Sequence, residues 1–242
     1  MTSMQTLFIF YIHRCTNHDQ HIWFFNRSSL RLNQQLKKRG GFMFVRTENP
    51  STFFHLYPIV SFLVLIHIVF FLIFLIPGSF SNNLLKALIG FNLVIFKGEY
   101  WRLITPLFLH VHLVHMLVNS VSLILFGPAL EKILGKWRFF LAYIGGGILA
   151  NIATLFLAPP MYTHLGASGA VFSLFGIYSY LAFFHQHIIQ RPHAHIIFAI
   201  LLIGFVVTLT GANLNIIAHF FGFLSGAIIA PFIASHPNPY HP

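Results

Sequence analysis

The stretch GASGAVFSLFGIYSYLAFF, residues 166–184, contains no charged side chain, and its small polar opening runs straight into apolar sequence of near-membrane length. Its character places it in hydrocarbon, as a span over roughly 168–185. A serine at the mouth of such a helix is costly to bury unless it has a partner. A partner of suitable chemistry stands downstream in AHFFGFLSG, residues 218–226, where His219 lies near the start of another apolar run.

Besides the span over 168–185, five further spans read as Tyr57–Ile76 and roughly 113–130, 137–157, 194–210 and 215–234. The first is twenty residues with only His67 ionisable, closed by Pro77 and Gly78. Between the first two spans, residues 78–112 mix Phe, Leu and Ile with Trp101, Arg102 and His110, and read as a partly membrane-dipping loop. The expected fold class is therefore an all-α membrane protein: a bundle of six transmembrane helices with a membrane-dipping first outer loop. Composition points the same way. The chain is 57% hydrophobic and 7% charged, where a soluble domain carries about a quarter charged residues, so its solvent has to be the lipid bilayer. The single Cys15 permits no internal disulfide, which leaves helix packing to hold the fold.

Charge sets the orientation. A formal net charge of +10 resembles a nucleic-acid signature, but its placement argues against a nucleic-acid partner. Seven of the fourteen Lys and Arg precede residue 50, and Lys132, Lys136, Arg138 and Arg191 fall on the same side of the membrane. Only Lys86, Lys97 and Arg102 fall opposite. Positive loops face the cytoplasm, so the expectation is a multi-pass protein of the cell membrane with both termini cytoplasmic. Residues 1–49 read as a basic cytoplasmic extension, 50–236 as the helical domain and 237–242 as a short tail. Leu7–Ile12 is too short to span or to act as a signal segment, and Met43 would serve equally well as a start.

In that orientation the second, fourth and sixth spans enter from the outer face. His115 and Asn119, Ser168, and His219 each lie within about one and a half turns of their outer ends, at one depth about 10 Å below the surface. His115 and Asn119 are spaced i,i+4 and share a helix face. Small-residue stripes, Gly169–Ser173–Gly176 and Ala218–Gly222–Gly226, let the fourth and sixth backbones approach closely. A serine hydroxyl needs a base, and a neutral histidine serves near pH 7. The only acids are Asp19, Glu48, Glu99 and Glu131, none in spans four to six, so the chemistry reads as a Ser–His dyad. Oxyanion donors are expected from the Ser168 N–H at a helix start, the Asn119 amide and the His115 imidazole. Gly166 permits the tight approach that leaves Ser168 open to substrate.

These residues resemble the rhomboid family of intramembrane serine proteases. The resemblance covers about residues 98–231: GEYWR at 98–102, His110 with His115 and Asn119, EKILG at 131–135, GASG at 166–169, and Ala218-His219 with Gly222 and Gly226. FVRTEN at 44–49 looks most like the small rhomboids of Gram-positive bacteria. The resemblance implies Ser168 as nucleophile, His219 as base, His115 and Asn119 at the oxyanion, and no metal or organic cofactor. It implies His110 as a loop-positioning residue, with Gly166, Gly169, Gly222, Gly226, Trp101 and Arg102 structural near the site. Its implied substrates are transmembrane proteins whose helices unwind near the outer face and are cut after a small residue. Phe172 departs from the pattern, since several members carry a tyrosine there, facing the histidine.

Two other readings compete. A catalytically silent rhomboid-like binder of membrane clients would be expected to lack Ser168 or His219, and both are present. A His-rich metal transporter or metalloprotease draws on the sixteen histidines, with His185, His187, His193 and His195 in one inner loop. That loop has no carboxylate or cysteine nearby and no HExxH motif, and reads as solvated.

Overall fold

A computed structural model describes residues 44, 48–210 and 214–234. The expected tail, and nearly all of the expected basic extension, lie outside the described residues. Every element below belongs to one compact unit, Arg46–Pro242.

The chain opens with α1 (Pro50–Leu56) and α2 (Pro58–Leu75). Each starts on a proline, whose fixed φ suits the first helical position. Then come α3 (Ser79–Leu88), β1 (Gly90–Phe91), α4 (Asn92–Ile95) and two 3₁₀ turns, Tyr100–Leu103 and Thr105–Phe108. The long helices α5 (Leu113–Leu134) and α6 (Lys136–Leu157) meet at Gly135, whose φ of +82° ends one helix and admits the next. After β2 (Thr163–His164) follow α7 (Ser168–Phe184), α8 (Arg191–Thr210) and α9 (Ile216–Ala234).

The protein is an all-α membrane bundle. Helices α2, α5, α6, α8 and α9 are long and apolar enough to cross a bilayer. Their outward faces carry exposed Phe62, Leu65, Val118, Leu141, Ile203 and Phe232, as lipid-facing surface requires. The sixth apolar helix, α7, has 17 residues, about 25 Å. It is short because its surroundings are protein: 13 of its 17 residues are buried, and it packs against α9, α6, α8 and α5. The helix carrying Ser168 is therefore the axis of the bundle.

The region read as a partly membrane-dipping loop is a folded unit. β1 pairs antiparallel with β2, Gly90 opposite His164 and Phe91 opposite Thr163. Arg102 organises the rest: Nε donates to the Glu99 carboxylate at 2.6 Å, while Nη1 donates to the Lys86 and Ile89 carbonyls at 2.7 Å each. Trp101 Nε1 donates to the Ala87 carbonyl at 3.1 Å, with its ring half exposed. Asn151 of α6 donates to the Leu103 carbonyl at 2.8 Å, tying the unit to the bundle. The two-residue strands and the 3₁₀ turns are too short to carry a hydrophobic period, and side-chain bonds to backbone hold them.

Two buried contacts fasten the first spanning helix. His67 on α2 pairs through Nδ1 with Ser120 Oγ at 3.3 Å and through Nε2 with the Tyr143 hydroxyl at 3.2 Å, linking α2, α5 and α6. The Glu131 carboxylate, near the end of α5, accepts the Ile59 and Val60 N–H groups at 3.1 and 3.0 Å. An acid from a distant helix thus caps the start of α2 and faces its positive dipole end. Glu131→Ala should lower stability by about 1–3 kcal/mol, and Glu131→Gln by less, since its amide oxygen can still accept. Thermal melting in detergent, with catalytic rate as a control, measures both.

Candidate active site

Ser168 stands at the first position of α7, and the turn before it is pinned from the first loop. The Gly166 N–H donates to the Pro106 carbonyl at 2.9 Å, and the Ala167 N–H reaches His110 Nε2 at 3.5 Å. Gly166 holds φ of +120°, and a Cβ there would run into the His115 ring, 2.7 Å from Nε2. Only glycine meets both conditions. His110 is fully buried and lies edge-on to His67 and His115, with ring centroids 4.7 and 5.1 Å away. His164 lies buried beneath Gly90, where burial holds its imidazole down to about 4, hence neutral, as a packing element of the β1–β2 pair.

His219 is set by the start of α9. The Asn215 side-chain oxygen accepts the Ala218 N–H at 2.9 Å, which caps the helix, while its amide donates to Thr154 Oγ1 of α6 at 3.1 Å. From that cap, α9 runs in backbone contact with α7. A Cβ at Gly222 would land on the Gly169 carbonyl oxygen, one at Gly226 on the Ser173 carbonyl, and one at Gly176 on the Phe223 carbonyl. No side chain fits between these helices at those levels, so the backbones approach as far as van der Waals contact allows.

The outcome is Ser168 Oγ 2.7 Å from His219 Nε2. Phe172, one turn into α7, stacks flat on the His219 ring, with centroids 4.5 Å apart and 13° between planes. Here the aromatic at this position keeps the stack without a hydroxyl. Ser168 is half buried and His219 is 5% exposed, so the serine is the more accessible of the pair.

His115 is half buried against Gly166, and Asn119 is buried one turn further along α5. The Asn119 amide donates one of its two N–H groups to the His115 carbonyl at 3.0 Å. The first N–H groups of α7, Ser168's among them, have no intrahelical acceptor.

One residue at this site was not legible in the sequence. Thr208, near the end of α8 and 1% exposed, places Oγ1 2.7 Å from His219 Nδ1 and also 2.7 Å from the Gly204 carbonyl. A threonine in an apolar helix ordinarily bonds back to its own turn, so no residue pattern marks it out. Among the described residues, no three His, Cys, Asp or Glu side chains gather so as to hold a metal ion.

Residues 97–236 match the rhomboid domain family. "Putative rhomboid protease YdcA" of Bacillus subtilis (strain 168) is 42% identical over 188 residues, covering 78% of this chain and 94% of that protein. "Rhomboid protease GluP" of the same strain is 31% identical over 171 residues, or 69% of this chain and 33% of that protein. "Rhomboid-like protease 2" of Toxoplasma gondii is 37% identical over 131 residues, 53% of this chain and 46% of that protein.

Proposed function

Because the chain belongs to the rhomboid family and is a serine endopeptidase of the membrane, we propose that it cleaves transmembrane segments with a Ser168–His219 dyad. The observation that carries this reading is the 2.7 Å contact between Ser168 Oγ and His219 Nε2, made across α7 and α9 by a half-buried serine and an enclosed imidazole. In the reading, six helices span the cell membrane with both termini in the cytoplasm. The site then opens toward the outer face, near the starts of α5, α7 and α9.

The chemistry follows from the contacts. His219 Nε2 takes the Ser168 proton as Oγ attacks the scissile carbonyl carbon, forming a tetrahedral oxyanion. The Ser168 N–H at the positive end of α7, the Asn119 amide and the His115 imidazole supply the donors that stabilise it. The C–N bond breaks as His219 returns the proton to the departing amine. Water then attacks the acyl-enzyme ester, giving a proton to His219, which passes it to Oγ as the acyl C–Oγ bond breaks and the acid leaves. Neither step calls for a metal or an organic cofactor. A helical peptide bond is shielded by its own hydrogen bonds, so substrates with Gly or Pro near the cut should open more readily.

The test is purified protein in detergent with a panel of transmembrane peptides. The reading expects cuts inside the apolar segment, blocked by a serine-reactive fluorophosphonate and untouched by chelators. A membrane-client binder would cut nothing, and a metalloprotease would show the opposite inhibitor pattern.

His115→Ala and Asn119→Ala address the oxyanion donors. Losing one such donor costs about 10²–10³-fold in soluble enzymes. Here each should cost less, about 10- to 100-fold in kcat, because three donors share the charge. An unchanged kcat in both variants would remove them from the site.

A further inference from the structure

We propose that Thr208 is a positioning residue that stands where a triad would have a carboxylate, and that it does so by holding His219 in the tautomer able to act as a base. The inference rests on the Ser168–His219 reading above.

A threonine hydroxyl has one proton to give and lone pairs to accept with. The Gly204 carbonyl, 2.7 Å from Thr208 Oγ1, can only accept, so the threonine proton points there. Oγ1 also lies 2.7 Å from His219 Nδ1 and has no second proton to offer. The contact is therefore made by Nδ1–H donating to Thr208. With its proton on Nδ1, the neutral imidazole presents a bare lone pair at Nε2, 2.7 Å from Ser168 Oγ. The chain of donors runs one way, from Ser168 through His219 and Thr208 to the Gly204 carbonyl. In the opposite tautomer Nε2–H would donate to Ser168, and the nucleophile would lose its base. A neutral acceptor at Nδ1 also keeps a bond when His219 becomes imidazolium, because Nδ1–H persists in both forms. Phe172 fixes the plane of the ring by stacking, but a stack cannot choose between tautomers.

Thr208 is 1% exposed and bonded to its own helix, so a structural role alone predicts a different outcome from a positioning role. Thr208→Val keeps the shape and removes the acceptor, while Thr208→Ser keeps the hydroxyl. The measurement is the rate of Ser168 phosphonylation by a fluorophosphonate at varied concentration, with melting recorded for each variant. Thr208→Val should lower the limiting rate about tenfold with the half-saturating concentration unchanged. Thr208→Ser should stay within about twofold of the parent, the scale of a lost methyl group that leaves the hydrogen bond in place. The ¹⁵N spectrum of imidazole-labelled parent protein, with His219→Gln to assign the signal, should show a protonated Nδ1 and an unprotonated Nε2. A limiting rate in Thr208→Val equal to the parent's, equal losses in both variants, or an Nε2–H tautomer in the parent would each overturn the proposal. Ser168→Ala separates the two levels. If it is inert while Thr208→Val is normal, only this inference falls; if it still cleaves, the dyad reading falls with it.

Discussion

Ser168→Ala and His219→Ala should each reduce cleavage of a transmembrane peptide by at least about 10³-fold, and the double variant should be no slower than either one. Residues that act as a single unit give this grossly non-additive pattern, as soluble serine proteases show. The physical ground is the 2.7 Å Oγ–Nε2 contact, since without its base the hydroxyl stays protonated, and without the hydroxyl the base has nothing to activate. The two variants should differ in stability. Ser168 is half buried and its loss removes little packing, whereas His219→Ala vacates a ring that stacks on Phe172 and bonds Thr208. Melting should hold in the first and fall by a few degrees in the second. Multiplying losses in the double variant would mean that the two residues act separately.

Gly222→Val should be the most damaging single change to the fold. A Cβ at residue 222 would sit on the Gly169 carbonyl oxygen, with the Gly169 Cα 3.2 Å away. Both obstacles are backbone, so relief requires α9 to move off α7 along a contact that Gly226 and Gly176 also share. Overpacking a tight interface costs typically about 1–3 kcal/mol, and more is expected where backbone is what must yield. The displacement also carries His219 away from Ser168, and misplacement by about 1 Å can cost about 10²-fold. Melting temperature and cleavage should therefore fall together. Phe220→Val and Ile228→Val are the controls, because those side chains are 52% and 58% exposed on the same helix. They should change neither quantity appreciably.

How legible all this was depends on the kind of force involved. The long helices could be read because apolar length and bounding Pro and Gly are local properties, and Tyr57–Ile76 became Pro58–Leu75 almost unchanged. The meeting of α7 and α9 was readable because small residues recur at helical spacing on both, and the structure puts Gly222 against Gly169. β1 and the 3₁₀ turns before α5 were not, since Arg102 reaches the Lys86 and Ile89 carbonyls, and bonds of that kind leave no period. Glu131 opens the EKILG motif, yet its partner Val60 is 71 residues away and is a bare backbone N–H with no sequence identity to signal it. Thr208 was hidden for a related reason. Its bond to His219 depends on how α8 rotates against α9, and no local pattern of residues states that angle.

The Ser168–His219 dyad is tested most sharply by mass mapping of the site a fluorophosphonate modifies. The protein, in detergent or reconstituted in vesicles, is treated with the probe, digested and sequenced by mass spectrometry. One adduct is expected, on Ser168, lost when His219 is replaced by alanine and unaffected by chelators. An adduct on any other serine, or labelling of Ser168 that persists at full rate without His219, would contradict it.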